Sequence, residues 1–170
     1  MSKIVTAGET LVKYKGNYDW GALYQLAINW LLGRRYRVEE KRYKDKMTDA
    51  AGSEVEVQLR GKRKETPFIR KLMEVDFHLW GHKEVKGILN GKETMYTGGR
   101  ISIHITAKVE IDWQNIFVGS KWKEVMGDFY FWVRKKEFEL TVIDDHEYEA
   151  LRLELEIKKF LKMETDTHAY

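Results

Sequence analysis

The sequence predicts an α+β domain: a curved antiparallel β-meander of about 5–6 strands, with helices packed on one face. Three observations predict it. Apolar residues fall on odd positions through Met73, Val75, Phe77 and Leu79, and again through Ile101, Ile103, Ile105, Ala107, Val109 and Ile111. A period of two marks antiparallel strands with one buried face. Between these runs stands Asn90-Gly91, the pair that favours a type I′ hairpin turn. Nearer both ends of the chain the apolar spacing changes to that of a helix face.

Taken in order, Glu9 to Lys15 reads as a first strand, with Thr10, Val12 and Tyr14 on one side and Gly16-Asn17 as a turn. Asp19 is placed to cap a helix over 19–33. Its stripe is Trp20, Leu23, Tyr24, Ala27, Trp30 and Leu31, and Gly33 suits the left-handed position that ends it. Residues 35–47 form a strand that becomes charged on both sides, which belongs at a sheet edge. After a turn at 48–53, Val55, Val57 and Leu59 alternate with Glu56, Gln58 and Arg60 in a half-buried strand over 54–62.

Residues 69–111 then form one long bent hairpin. A two-residue turn at 90–91 pairs 89 with 92, so partners sum to 181 and every odd residue would face an even one. The two apolar faces would then lie on opposite sides of the sheet. One extra residue must be absorbed, and Gly81, Gly87 and Gly98-Gly99 are the natural bulge sites.

Beyond the hairpin, Ser120 suits a cap for a helix over about 121–136, striped by Trp122, Val125, Met126, Phe129, Trp132 and Val133. Residues 137–143 read equally as helix or short strand. Asp144 or Asp145 suits the cap of a last helix over about 145–163. Its broad apolar face comprises Ala150, Leu151, Leu153, Leu155, Ile157, Phe160 and Leu161, and Lys158, Lys159 and Lys162 complement the dipole at its end.

With 170 residues and no Gly/Ser/Pro linker, a single domain over 1–163 is expected, followed by a loose tail at 164–170. No Cys is present, which excludes disulfide and thiolate chemistry. The N-terminus lacks the apolar run of a signal peptide and no stretch is apolar enough to span a bilayer, so a cytoplasmic protein is expected. Charge is high but balanced, 30 Lys and Arg against 27 Asp and Glu, which fits a heat-adapted source.

No nucleophile elbow, phosphate loop or helical metal motif occurs, so neither catalytic residues nor a cofactor are expected. His78 and His82 are four apart on a strand, about 13 Å, too far to share a metal. A bulge that makes partners sum to 182 would set His78 opposite His104, a pair able to hold zinc with a nearby carboxylate. Glu39-Glu40 and Asp144-Asp145 read as surface and cap residues. The basic strip at 34–46 and 60–64 offers Arg35, Arg37, Arg42, Tyr43, Lys62 and Arg63 as nucleic-acid contacts. The aromatic cluster Tyr130, Phe131 and Trp132 offers an interface, within a chain holding 6 Trp, 9 Tyr and 7 Phe.

Two resemblances accompany this reading. The run Asn17-Tyr18-Asp19-Trp20 and Tyr36-Arg37-Val38-Glu39-Glu40 resembles uncharacterised archaeal proteins with no assigned activity. The element order, with a last long helix on a curved antiparallel sheet, resembles helix-grip (START-like) domains, which implies a small apolar ligand or lipid. The leading expectation is a non-catalytic structural or interaction protein that self-associates. The alternatives are a helix-grip binder and nucleic-acid binding through the basic strip.

Overall fold

A computed structural model describes residues 3–46, 53–89, 92–114, 125–127, 129, 132 and 138–163. It shows the α+β architecture: five antiparallel strands in one open sheet, with an N-terminal and a C-terminal helix packed on it. The strands are β1 (Lys3–Tyr18), β2 (Arg37–Lys46), β3 (Ser53–Lys64), β4 (Ile69–Leu89) and β5 (Lys92–Ile111). Their spatial order is β1-β5-β4-β3-β2, so β2 to β5 form a meander and β1 returns to pair with β5. The charged strand β2 lies at the edge, as its polarity predicts.

The parity argument holds, with one correction. Partners sum to 181 from Leu89↔Lys92 to Lys83↔Gly98, then to 180 from Trp80↔Arg100 onward. The extra residue lies in β4, where Gly81-His82 oppose Gly99. Odd therefore meets odd, and Val75, Phe77, Ile103 and Ile105 share one buried face. Because the sum is 180 and not 182, His78 faces Ser102 and His104 faces Asp76, so the two histidines are not paired. Gly81 takes φ 65, a left-handed value that suits a glycine bulge. On its other side the same bulge sets Trp80-Gly81 against Glu54, between Ser53↔His82 and Val55↔Leu79. The Asn90-Gly91 turn and the turn at 48–52 lie outside the described residues.

Several boundaries differ from expectation. Gly16-Asn17 is not a turn: both residues pair with Gly99 and Gly98, so β1 runs on to Tyr18. Helix α1 (Trp20–Gly33) is capped by Asp19, whose carboxylate accepts from Ala22 N at 2.9 Å. Its left-handed residue is Arg35 at φ 63, not Gly33. Tyr36 N donates to Leu31 O and Arg35 N to Leu32 O, the Schellman pattern of a closed helix end. Residues 138–143 are helical, a π-helical segment (Phe138–Ile143) that runs directly into α2 (Asp144–Phe160). That continuity removes any capping role for Asp144 or Asp145, and both lie in the first turn of α2. Leu151 and Leu155 face outward, because the buried stripe is His146, Glu149, Ala150, Leu153 and Ile157.

Leu23, Ala27 and Leu31 of α1 and Ala150, Leu153 and Ile157 of α2 join the sheet's odd face in one apolar cluster. Trp20 meets Phe77 edge to face at 5.2 Å between ring centres. Gly8 lets α2 approach β1 closely: a Cβ there would lie 2.7 Å from the Glu147 side chain. The predicted helix at 121–136 is described only at 125–127, 129 and 132, all helical. Tyr130 and Phe131 lie outside the described residues, as do Ser120, Trp122 and Val133.

A candidate polyanion site at the basic end of the sheet

The end of α1, the start of β2, the end of β3 and the start of β4 meet in one cleft of about 830 Å³. Arg34, Arg35, Arg37, Lys62, Arg63, Lys64 and Arg70 line it, against only two carboxylates, Glu39 and Glu65. Antiparallel pairing explains the convergence. Arg37 lies opposite Lys62, and Lys64 opposite Arg70, so three strands deliver cations to one end of the sheet. The Schellman end of α1 adds Arg34 and Arg35 from above.

Aromatic faces hold several of these cations in place. The Arg34 guanidinium sits 3.6 Å above the Trp30 ring and that of Arg63 sits 4.7 Å from the centre of Tyr36. Lys64 and Arg70 share Trp113, at 4.9 Å and 5.0 Å. Arg63 is tied further, to Glu149 at 2.9 Å, Glu65 at 3.2 Å and the Arg34 carbonyl at 3.2 Å. Lys62 is paired with Glu39 at 2.8 Å, and Arg70 with Glu110 at 2.5 Å. The Lys62 hydrogen bond holds the Glu39 carboxyl below its usual range. Arg35 and Arg37 differ. Both are exposed, and among the described residues their guanidinium groups hold no ion pair.

Beneath the cleft lies a buried polar network. Tyr36 donates from its hydroxyl to Glu149 Oε2 at 2.6 Å. His146 is fully buried, with Nδ1 at 3.2 Å from the same oxygen and Nε2 at 2.8 Å from the Leu72 carbonyl. A carbonyl only accepts, so Nε2 donates to it. Burial would raise the Glu149 pKa, but hydrogen bonds from His146, Tyr36 and Arg63 outweigh it and lower it to about 2. Burial and the Glu149 bond push the Tyr36 hydroxyl well above its ordinary value. Lys71, only 1 % exposed, reaches Asp145 at 2.5 Å.

Of the residues read from sequence, the structure brings Arg35, Arg37, Lys62 and Arg63 into the cleft. Arg42 and Tyr43 lie farther along β2, opposite Gln58 and Val57, and Arg42 pairs with Glu56 at 3.1 Å. Trp132 is helical and 72 % exposed. Sequence reasoning missed Arg34, Lys64 and Arg70 as cleft residues, although Arg34 and Lys64 lay within the basic strip. It also missed His146 and Glu149, whose partner Tyr36 is more than a hundred positions away.

No helix is long and apolar enough to cross a membrane among the described residues. Compared with known proteins, the chain matches no family model and no curated protein.

Proposed function

We propose that this chain binds nucleic acid through the phosphate backbone at the basic end of its sheet. The observation that carries the reading is the convergence of seven cations on one cleft in a chain whose net charge is only +3. Overall charge would not concentrate polyanions, but a local patch does. Cations stacked on Trp30, Tyr36 and Trp113 are pre-ordered, so less side-chain entropy is lost on binding. The exposed Arg35 and Arg37 would complete the phosphate contacts. Fluorescence anisotropy with labelled single-stranded and duplex oligonucleotides tests the reading. Affinity should fall steeply with salt, and Arg35→Ala with Arg37→Ala should weaken binding to every sequence alike. Binding that ignores both salt and this double variant would overturn it.

A second reading, self-association, rests on two exposed apolar rows. Val125, Met126, Phe129 and Trp132 are 60 %, 61 %, 63 % and 72 % exposed, and Tyr148, Leu151 and Leu155 point outward from α2. Light scattering at rising concentration should show an assembly that Trp132→Glu dissociates. A strict monomer would remove this reading. A helix-grip ligand site finds less support, because α2 and the sheet meet in one continuous apolar cluster.

A further inference from the structure

On the face of the sheet away from the helices, next to the β4 bulge, β3 and β4 bring together three metal-ligating side chains. Glu54 and Glu56 are two apart on β3 and so share a face. His78 lies directly across from Glu56. Ligands two apart on one strand and opposite on the next stand about 5–7 Å apart at their Cβ atoms, a spacing from which three side chains reach one ion. Glu54 lies opposite the bulged Trp80-Gly81 pair, diagonal to His78, and its carboxylate reaches the imidazole. Oxygen or nitrogen atoms of all three residues lie within 4.8 Å of one another. His78 Nε2 is 2.6 Å from Glu54 Oε1 and 4.0 Å from Glu56 Oε1. The Trp80 ring stacks on the imidazole at 3.7 Å and fixes the direction of that nitrogen.

We infer that Glu54, Glu56 and His78 form a binding site for one divalent transition-metal ion, zinc above all. One imidazole with two carboxylates suits a borderline cation, and three protein ligands leave a position for water or a further ligand. Magnesium, which keeps most of its waters and takes oxygen ligands, should not compete. Arg42 and Lys46 now hold the outer oxygens of Glu56 and Glu54, at 3.1 Å and 4.0 Å. Both are exposed, and a metal would displace them.

The test uses tag-free full-length protein freed of metal with EDTA and titrated with zinc chloride by isothermal titration calorimetry. One equivalent should bind, with excess magnesium present, and the His78 ring resonances should shift in nuclear magnetic resonance spectra. His78→Ala or Glu56→Gln should weaken binding roughly tenfold or more. Arg42→Ala should tighten it, because a competing cation is gone. Circular dichroism confirms that each variant folds, and all three positions are at least partly exposed. No zinc binding, or binding that His78→Ala leaves unchanged, would overturn the site.

Discussion

At the residue scale, Glu149 is where fold and cleft meet. It accepts from Tyr36 and Arg63 while facing His146, so one carboxylate anchors β3 and the start of β2 to α2. Its folded pKa of about 2 lies below the ordinary 4.5, so its charged form stabilises the fold. That contribution is present above about pH 4.5 and disappears as pH falls towards 2. Glu149→Gln should cost about 3 kcal/mol near neutral pH, because it leaves Arg63 without its buried partner. Its stability should also vary less between those two pH values than that of the native chain. Urea unfolding across the range measures both effects.

At the element scale, two of the positive-φ positions, Gly99 and Arg35, give opposite predictions. Gly99 at φ 152 sits opposite the β4 bulge, where an added Cβ would lie 2.8 Å from the Trp80 carbonyl oxygen. Gly99→Ala should lose about 1–3 kcal/mol, and the thermal midpoint should fall by several degrees. Arg35 has the opposite sign. It holds a left-handed conformation that suits glycine, so Arg35→Gly should stabilise the chain by about 1 kcal/mol while weakening the proposed nucleic-acid binding. A non-glycine residue kept there, against its own preference, is what a functional cation at a helix end would require. Thermal unfolding and anisotropy on the same variant separate the two effects.

At the scale of the whole molecule, the sheet separates two surfaces. Its odd face is closed by α1 and α2, and its polar face carries the Glu54–Glu56–His78 cluster, with the basic cleft at one end. The polar face is internally neutralised: Arg60 and Lys108 both bind Glu74 and hold its carboxyl below the usual range against the effect of burial. The cleft is neutralised only in part, since Lys62, Arg63 and Arg70 are paired while Arg35 and Arg37 hold no ion pair among the described residues, and so it stands out in a nearly balanced chain. If Arg35 and Arg37 each neutralise one phosphate, the double variant should reduce the slope of log affinity against log salt by roughly 0.7–0.9 for each phosphate no longer neutralised. Anisotropy titrations at several salt concentrations read that slope.

The sequence by itself determined the α+β class, the strand faces, the edge placement of β2 and the need for a glycine bulge. All follow from the period and parity of apolar residues, which a local pattern carries completely. It also placed Arg35, Arg37, Lys62 and Arg63 in one basic strip, because Arg37 and Lys62 face each other on paired strands and the other two are their near neighbours in the chain. Tertiary structure decided the rest. Parity demands an extra residue but is satisfied by a sum of 180 or of 182. Only the packed sheet places that residue in β4, setting His78 against Ser102 and not His104, and only the β3–β4 register sets His78 beside Glu56. Arg70 joins the cleft through strand pairing. Glu149 and His146 reach Tyr36 only because α2 folds back across the sheet, a contact between distant segments that no local pattern records.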